Sequence, residues 1–564
     1  MERLGTGFVK TGLEPGDRIA LLSENRLEWA LTDYAAMSAG LILVPIHAVL
    51  PPDQIAYILR DSEARAIVVS TLAYARKVEA ACRAVSAPIR TICIEPKATE
   101  VIEDAQLLQR MELDAADAEN AHKEFLARRT AVQSDDVMTL IYTSGTTGNP
   151  KGVMLTHRNF VSNVQSGLQI FDVSEQDVLL TFIPLSHVFE RTGAHYLPMF
   201  AGATIAYSRS IRRLGTELQE VGPTFMTAPP RFYENLHDRI LKDVNSGSWA
   251  KRRLFDWATV QGLERSRRVQ KGGAAGIALR AKYAIADRFV FRRLRARVGG
   301  RLRFFVSGGA PLAISTAEFF HGAGILILEG YGMTEASPII AANCEAAFRF
   351  GTVGRGVPGV EVRIADDGEI LTRGPHVMKG YYKLEEETRR TISDDGWLYT
   401  GDLGELDEDG FLRITGRKKN LFKLSSGEYV APEPIENALK ASIYIQESVV
   451  FGESQRLAGA LIVPSFAALE AFANDNGIPC EPHSTLVQNP LVQQLYRKEL
   501  DRLTAPFAEQ EKIRVFLLLD REFTIEAGEL TPTEKVKRSP VLETYAEQIA
   551  SLYVRGDSGT TSGG

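Results

Sequence analysis

Cysteine is scarce: Cys82, Cys93, Cys344 and Cys480 are the only four in 564 residues, and they stand far apart. That spacing excludes a disulfide scaffold and a cysteine-held metal centre, and it fits a reducing compartment. Long apolar runs are missing as well. None reaches the roughly 18 residues of a membrane-crossing helix. No charged segment followed by an apolar one opens the chain, so a cytoplasmic protein is expected. Charge of one sign is not in excess either. The 65 basic and 71 acidic residues leave a net charge of −6, which gives no reason to expect a nucleic-acid partner. What is present, 45% apolar and 24% charged residues, is ordinary for a globular protein. The length exceeds what one hydrophobic core serves, so two or more domains are expected.

Short apolar runs at 18–22, 41–45 and 66–69 read as buried strands, with helical patterns at 27–39 and 53–59 between them. Strands alternating with helices predict an α/β architecture with a largely parallel, wound sheet. The run 138–142 is a further strand. Thr156 then caps a helix that carries Phe160, Val161, Val164 and Leu168 on one face. Strands at 178–183, 302–306 and 325–328 each lead straight into a polar or glycine-bearing segment, where open α/β sheets place their ligands. Later, a helix at 433–439 and strands at 447–451 and 458–463 predict a small α+β unit. Asp407-Glu-Asp-Gly410 reads as a hairpin turn, because its acids are too tightly spaced for a calcium loop. Residues 251–303 are helical in pattern and rich in Lys and Arg. They read either as a surface for anionic membrane or as a helix pair with a solvated basic face. Gly272–Gly276 is the loop inside this region. The last residues, 555–564, have no packing capacity.

The stretch Tyr142-Thr-Ser-Gly-Thr-Thr-Gly-Asn-Pro-Lys-Gly-Val153 is the strongest local signal. Its glycines let the backbone approach a ligand closely, and successive N–H groups in such a turn form a concave anion site. The hydroxyls and Lys151 add donors and a mobile charge, so a polyphosphate ligand is indicated. It is not a P-loop, whose G-x-x-x-x-G-K-[ST] opens a helix; here Lys151 is followed by Gly152 and the apolar Val153-Met-Leu155.

Eight further blocks follow in order: Ile183-Pro-Leu-Ser-His-Val-Phe-Glu-Arg191, Pro229-Pro-Arg-Phe-Tyr-Glu234, Ser307-Gly-Gly-Ala-Pro-Leu312 and Gly330-Tyr-Gly-Met-Thr-Glu335, then Tyr399-Thr-Gly-Asp402, Gly416-Arg-Lys-Lys419, Ser426-Gly-Glu-Tyr-Val-Ala-Pro432 and Leu530-Thr-Pro-Thr-Glu-Lys535. The series resembles the adenylate-forming (AMP-binding) enzymes, in their long-chain fatty acyl-CoA synthetase branch. The resemblance implies a large N-terminal domain of wound α/β subdomains over 1–417, a small mobile α+β domain over 418–554 and a flexible tail over 555–564. Relatives usually carry a segment ahead of the position of Met1, so either a start placed late or a naturally shortened protein is expected, opening on the helical pattern of Leu4, Phe8 and Val9.

The activity implied is ATP-dependent conversion of a long-chain fatty acid to acyl-AMP, with release of pyrophosphate, followed by transfer to CoA. ATP, Mg²⁺ and CoA are the implied cofactor and co-substrates. By the same resemblance, Thr143, Ser144, Gly145, Thr146, Thr147, Gly148 and Lys151 cradle the β- and γ-phosphates, with Gly308, Gly309 and Gly332 also in the nucleotide site. Thr334 bonds the α-phosphate, Glu335 holds Mg²⁺ and Tyr331 stacks on adenine. Asp402 and Arg417 hold the ribose hydroxyls, chemistry open to a double acceptor and a fixed donor fork. His187 orients the acyl carboxylate, and Lys535, with Lys537 as a confusable neighbour, reaches the α-phosphate. Lys419 is the hinge, and Gly427 lies by the arm of CoA. Two other readings are an acyl-AMP ligase that loads a carrier protein and a non-catalytic lipid- or nucleotide-binding relative.

Overall fold

In a computed structural model, residues 1–85, 88–102, 104–115, 118–143, 149–274, 276–531 and 535–557 are described, with side chains to 553. The alternating segments form the centre of an eight-stranded sheet. In it Ile42–Pro45, Arg18–Leu22, Ala66–Val69 and Arg90–Cys93 lie side by side and parallel. Covered on both faces, such strands need near-continuous apolar sequence, which is why they were legible as runs. Val137–Thr143 lies parallel to Ile42–Pro45, and Lys151–Thr156 returns antiparallel beside it, pairing Thr143 with Lys151. The first helix, Glu2–Lys10, packs the fully buried Leu4 and Phe8 against Trp29 and Phe125.

Thr156 caps the helix His157–Ile170 reciprocally. Its hydroxyl accepts the N–H of Asn159 (3.2 Å), and Asn159 Oδ1 accepts the N–H of Thr156 (2.8 Å). Phe160 and Val164 are buried and Leu168 is half-buried, but Val161 is exposed. The packed stripe runs through Phe160, Asn163, Val164 and Gly167 instead. Asn163 bonds the backbone of Ile339 (2.8 Å), and Leu197 packs against Gly167, its Cδ1 2.8 Å from where a Cβ would stand. Val161 lies a further 100° round the helix from Phe160, off the stripe.

A second, seven-stranded sheet has Leu326–Gly332, Phe304–Ser307, Phe225–Ala228, Val178–Thr181 and Thr204–Tyr207 parallel in that order. One hydrophobic core shared by the two sheets contains Leu155, Phe160, Phe225 and Phe304. The buried pair Asp33–Arg191 pins them together. Arg191 also donates to Thr139 Oγ1 (2.8 Å) and to the Tyr196 hydroxyl (2.9 Å), which in turn donates to Asp33 (2.6 Å). A buried charge pair is tolerable only with its hydrogen bonds filled in this way.

Glu361–Ile364, Glu369–Arg373, Leu398–Leu406 and Leu412–Arg417 form a four-stranded antiparallel sheet. Asp407–Gly410 is its hairpin turn: Asp407 accepts the N–H groups of Asp409 and Phe411 (3.0 and 2.9 Å) and pairs with Arg349. Among the described residues, no group of three or more His, Cys, Asp or Glu side chains could hold a metal ion. Beyond Arg417, the helix Pro432–Leu439 and the strands Ile445–Phe451, Gly459–Pro464 and Val515–Leu518 enclose a separate core that includes Leu439, Ile462, Leu469 and Tyr496.

The basic region folds as the helix Trp249–Gln270 followed by Ile277–Ala286, the latter continued through Asp287–Phe291 and Arg292–Arg297. Trp249–Gln270 crosses Ile314–Gly322 at Gly262 and Gly322, where a Cβ on either would come within 2.9 Å of the other's backbone. Among the described residues, no helix is long and apolar enough to cross a membrane.

Candidate active site

The C-terminal ends of the strands in the second sheet, the end of Val137–Thr143 and the hairpin Leu398–Arg417 surround one cavity of about 2240 Å³. It has two unlike ends. One is apolar, with Phe225, Phe304, Leu214 and Leu218 in its wall and Phe182 tilted against Phe232 (5.5 Å between ring centroids). The other is crowded with charge.

At the charged end, Asp402 and Arg417 face each other across neighbouring strands. Arg417 Nε donates to Asp402 Oδ1 (2.8 Å), and the Tyr331 hydroxyl donates to Asp402 Oδ2 (2.7 Å). Burial works against the Arg417 charge, but Asp402, Tyr331 and Glu335 together more than compensate, and its pKa is raised. Burial, reinforced by Asp402, pushes the Tyr331 phenol well above its ordinary value, so it stays a donor. Tyr331 and Gly332 end a strand that leads into the turn Thr334–Ala336. A Cβ on Gly332 would meet Pro338 O at 1.9 Å, so the turn requires glycine. Thr334 and Glu335 both line the cavity. Glu335 is 9% exposed, and its Oε1 accepts the Tyr381 hydroxyl at 2.8 Å.

Thr143, Lys151, Gly308 and Gly309 line the same space; Ser144, Gly145, Thr146, Thr147 and Gly148 lie outside the described residues. Lys151 pairs with Glu387 and sits 5.2 Å above the Tyr381 ring. Its hydrogen bond, with Arg390 and Lys419 nearby, holds the Glu387 carboxyl below the usual range. Lys419 lies in the turn Lys418–Asn420 at the cavity edge.

His187 caps the short helix Val188–Glu190, with Nδ1 accepting the N–H of Phe189 (3.2 Å). Burial, aided by Lys535, lowers its pKa to about 4, so the ring is neutral. Three residues on, the fully buried Glu190 accepts the hydroxyls of Thr181 (2.5 Å) and Thr227 (2.6 Å), bracing that turn. Lys535 enters from a loop in which its N–H donates to Thr531 Oγ1 (3.0 Å) and its carbonyl accepts the Thr531 N–H (2.7 Å). Burial first, then the like charge of Arg417, lowers its pKa; Asp402 and Glu433 oppose them. Lys535 lines the cavity and Lys537 does not, which separates the two lysines. Gly427 is apart from the others, in the hairpin between Phe422–Lys423 and Tyr429–Val430 and outside the cavity wall.

Tyr381, Glu387 and Glu433 escaped the reading of the sequence. Tyr381 arrives only through the pairing of Gly380–Tyr381 with Lys151–Thr156, a register across more than 200 residues. Glu433 accepts Asn420 Nδ2 through Oε1, while its buried Oε2 has no hydrogen-bond partner. Its only signal was a second carboxylate in Pro432-Glu-Pro-Ile-Glu436.

A cavity that joins an end lined by both acids and bases to an apolar channel, at the strand ends of a wound sheet, is where an α/β enzyme of this architecture holds its ligands. The chain belongs to the AMP-binding enzyme family. That family matches residues 1–382, and the AMP-binding enzyme C-terminal domain matches residues 419–557. The long-chain-fatty-acid–CoA ligase FadD15 of Mycobacterium bovis is 36% identical over 97% of this chain and 90% of its own length. Fatty acyl-CoA synthetase A of Dictyostelium discoideum is 34% identical over 98% of this chain and 84% of its own. The crystal structure of a benzoate CoA ligase from Burkholderia xenovorans superposes with a TM-score of 0.71 at 21% identity, covering 96% of this chain and 92% of that one. That likeness concerns the fold.

Proposed function

We propose that the protein is an ATP-dependent long-chain fatty acid:CoA ligase. The observation that carries the reading is the single cavity in which Lys535, Asp402, Arg417 and Glu335 stand at one end and the aromatic channel at the other. A fatty carboxylate is a poor electrophile, and joining it to AMP makes it a good one. The carboxylate oxygen attacks the α-phosphorus of ATP, the bond to the β-phosphate breaks, and pyrophosphate leaves. The thiol sulfur of CoA then attacks the acyl carbon, loses its proton and displaces AMP.

In this reading Asp402 keeps lone pairs for the ribose hydroxyls while Arg417 and Tyr331 fix its orientation. Tyr331 presents its ring to adenine, and Lys151 leaves Glu387 for the β- and γ-phosphates. Thr334 donates to the α-phosphate. His187, neutral and buried, donates a hydrogen bond to the acyl carboxylate. Lys535 neutralises charge that develops on the α-phosphoryl group, where positioned cations act most strongly. Glu335 is a hard oxygen donor oriented by Tyr381, which suits Mg²⁺ held largely by substrate phosphates and water. The ion, when bound, would draw charge from those phosphates.

The domain division at residues 417 and 418, with Lys419 as hinge, belongs to the same proposal. Lys535 lies in the cavity while Gly427 lies away from it, as expected of the arrangement for the first half-reaction; a rotation would exchange them. Peripheral contact with anionic membrane through residues 251–303 is supported by their excess of Lys and Arg.

Palmitate-dependent pyrophosphate release, followed with palmitoyl-CoA in the same tube, tests the reading. Both products rising together with CoA is the expected result. Acyl-AMP that CoA cannot discharge would favour a carrier-loading enzyme, and no pyrophosphate from folded protein with any fatty acid would refute the proposal.

A further inference from the structure

The continuous helical segment from Ile277 to Arg297 is two-faced. Leu279, Ala286, Phe291 and Leu294 are buried against the body of the protein. The opposite side carries Ile277 (87% exposed), Ile285 (51%) and Phe289 (48%) into solvent. Interleaved with them are Arg280, Lys282, Arg288, Arg292 and Arg293, all exposed and without an ion pair among the described residues. The single acid of the segment, Asp287, is bonded to Arg295 (2.6 Å), and Arg297 is bonded to Asp243 (2.7 Å). The outward face is therefore apolar and cationic, in a protein whose net charge is −6.

The neighbouring helix Trp249–Gln270 shares this character at its start, where Trp249 (67%) and Leu254 are exposed beside Lys251, Arg252 and Arg253, and loses it towards its end. Its exposed Arg267 and Arg268 are paired with Glu318 and Glu264, and Asp256 is exposed beside Arg252. The second helix combines its exposed apolar side chains with five cations that make no ion pair among the described residues.

Apolar groups left in water among unpaired cations match the interface of an anionic bilayer, where rings and aliphatic chains sink below the headgroups while Arg and Lys meet phosphates. A nucleic acid or an acidic protein would use the cations and leave Ile277, Ile285 and Phe289 unexplained. Position supplies a second argument. The helix Leu214–Val221 packs against Arg292–Arg297, and its Leu214 and Leu218 line the apolar end of the cavity. Just before it, Ile211 both lines that cavity and is 70% exposed, so the cavity wall reaches the surface near the amphipathic helix.

We infer that the outward face of residues 277–297 is a docking surface for anionic lipid bilayers, and that it sets the acyl end of the cavity beside the membrane in which long-chain acids dissolve. The second half of this inference rests on the ligase reading; the first does not.

The test is sedimentation of the full-length protein with phosphatidylcholine vesicles, with and without phosphatidylglycerol. Binding is expected only to the anionic vesicles and should weaken with salt. Arg292→Gln with Arg293→Gln should lower it roughly thirtyfold, at about 1 kcal/mol per charge. Phe289→Ser should lower it separately. Both variants should turn over micellar fatty acid at the wild-type rate but lose rate on vesicle-borne fatty acid. Equal binding to neutral vesicles, unchanged binding by the variants, or retention on an acidic polymer but not on vesicles would overturn the docking surface. Intact vesicle binding by a protein with no ligase activity would leave the surface standing and refute only the substrate reading.

Discussion

Replacing Tyr381 by Phe removes one hydroxyl and keeps the ring. The ring still lies under Lys151 at 5.2 Å, so the cation–aromatic contact survives. What is lost is the 2.8 Å hydrogen bond to Glu335 Oε1, a carboxylate only 9% exposed. A hydrogen bond to a charged, buried acceptor contributes roughly 1.5–3 kcal/mol. Its loss frees the carboxylate to rotate away from the phosphates, so the first half-reaction should slow by roughly ten- to hundredfold. The Mg²⁺ concentration needed for half-maximal rate should rise as well, because a misoriented carboxylate is a weaker ligand. The second half-reaction, started from supplied acyl-AMP and CoA, should be nearly unaffected. Pyrophosphate release across a Mg²⁺ titration, set beside thioester formation from acyl-AMP, measures all three quantities. An unchanged Mg²⁺ dependence with an unchanged first half-reaction would show that the Tyr381 hydroxyl does not position Glu335.

Lys535→Ala should cripple pyrophosphate release and spare thioester formation from acyl-AMP, and equal loss of both would remove Lys535 from its assigned place. Because Lys535 acts charged and its folded pKa lies below the ordinary 10.5, the first half-reaction should fall as pH rises, with a midpoint under 10.5. Lys535→Arg should carry that midpoint upward out of range, so an unmoved limb would assign it to another group. Glu387→Gln removes the competitor for Lys151, and the apparent KM for ATP should fall about two- to fivefold, as a partly exposed ion pair allows; a KM that rises instead would make Glu387 part of the ATP site. Arg191→Met leaves Asp33 buried without its counter-ion and should cost roughly 3–5 kcal/mol in denaturant unfolding. A cost below about 1 kcal/mol would mean that water or Tyr196 already satisfies Asp33.

The strands were legible because burial on both faces forces apolar runs, and Ala66–Val69 falls on its run residue for residue. Thr156 was legible because a cap is local chemistry. The described site residues that came from motifs, Gly427 apart, share one cavity because most of their motifs sit at strand ends, and strand ends converge. Val161 went astray because a helical stripe read from apolarity cannot see that Asn163 and Gly167 make the contacts. Tyr381, Glu387 and Glu433 were invisible for a different reason. Their roles depend on pairings across sheets and domains, and neither residue type nor spacing carries that information. The basic region was legible in composition only; which of its cations stay unpaired depends on ion pairs such as Arg267–Glu318, formed 51 residues apart.

The Asp33–Arg191 pair has a consequence beyond stability. Arg191 closes the turn that His187 opens, its N–H bonded to the His187 carbonyl at 3.0 Å. Asp33 belongs to a helix of the first sheet and takes no part in the cavity. Under the proposed function, the histidine assigned to the acyl carboxylate is thus moored to a helix of the first sheet through one guanidinium. Drift in the packing of residues 27–38 would reach the chemistry as a changed pose of His187, so substitutions far from any substrate atom could alter which acids are accepted.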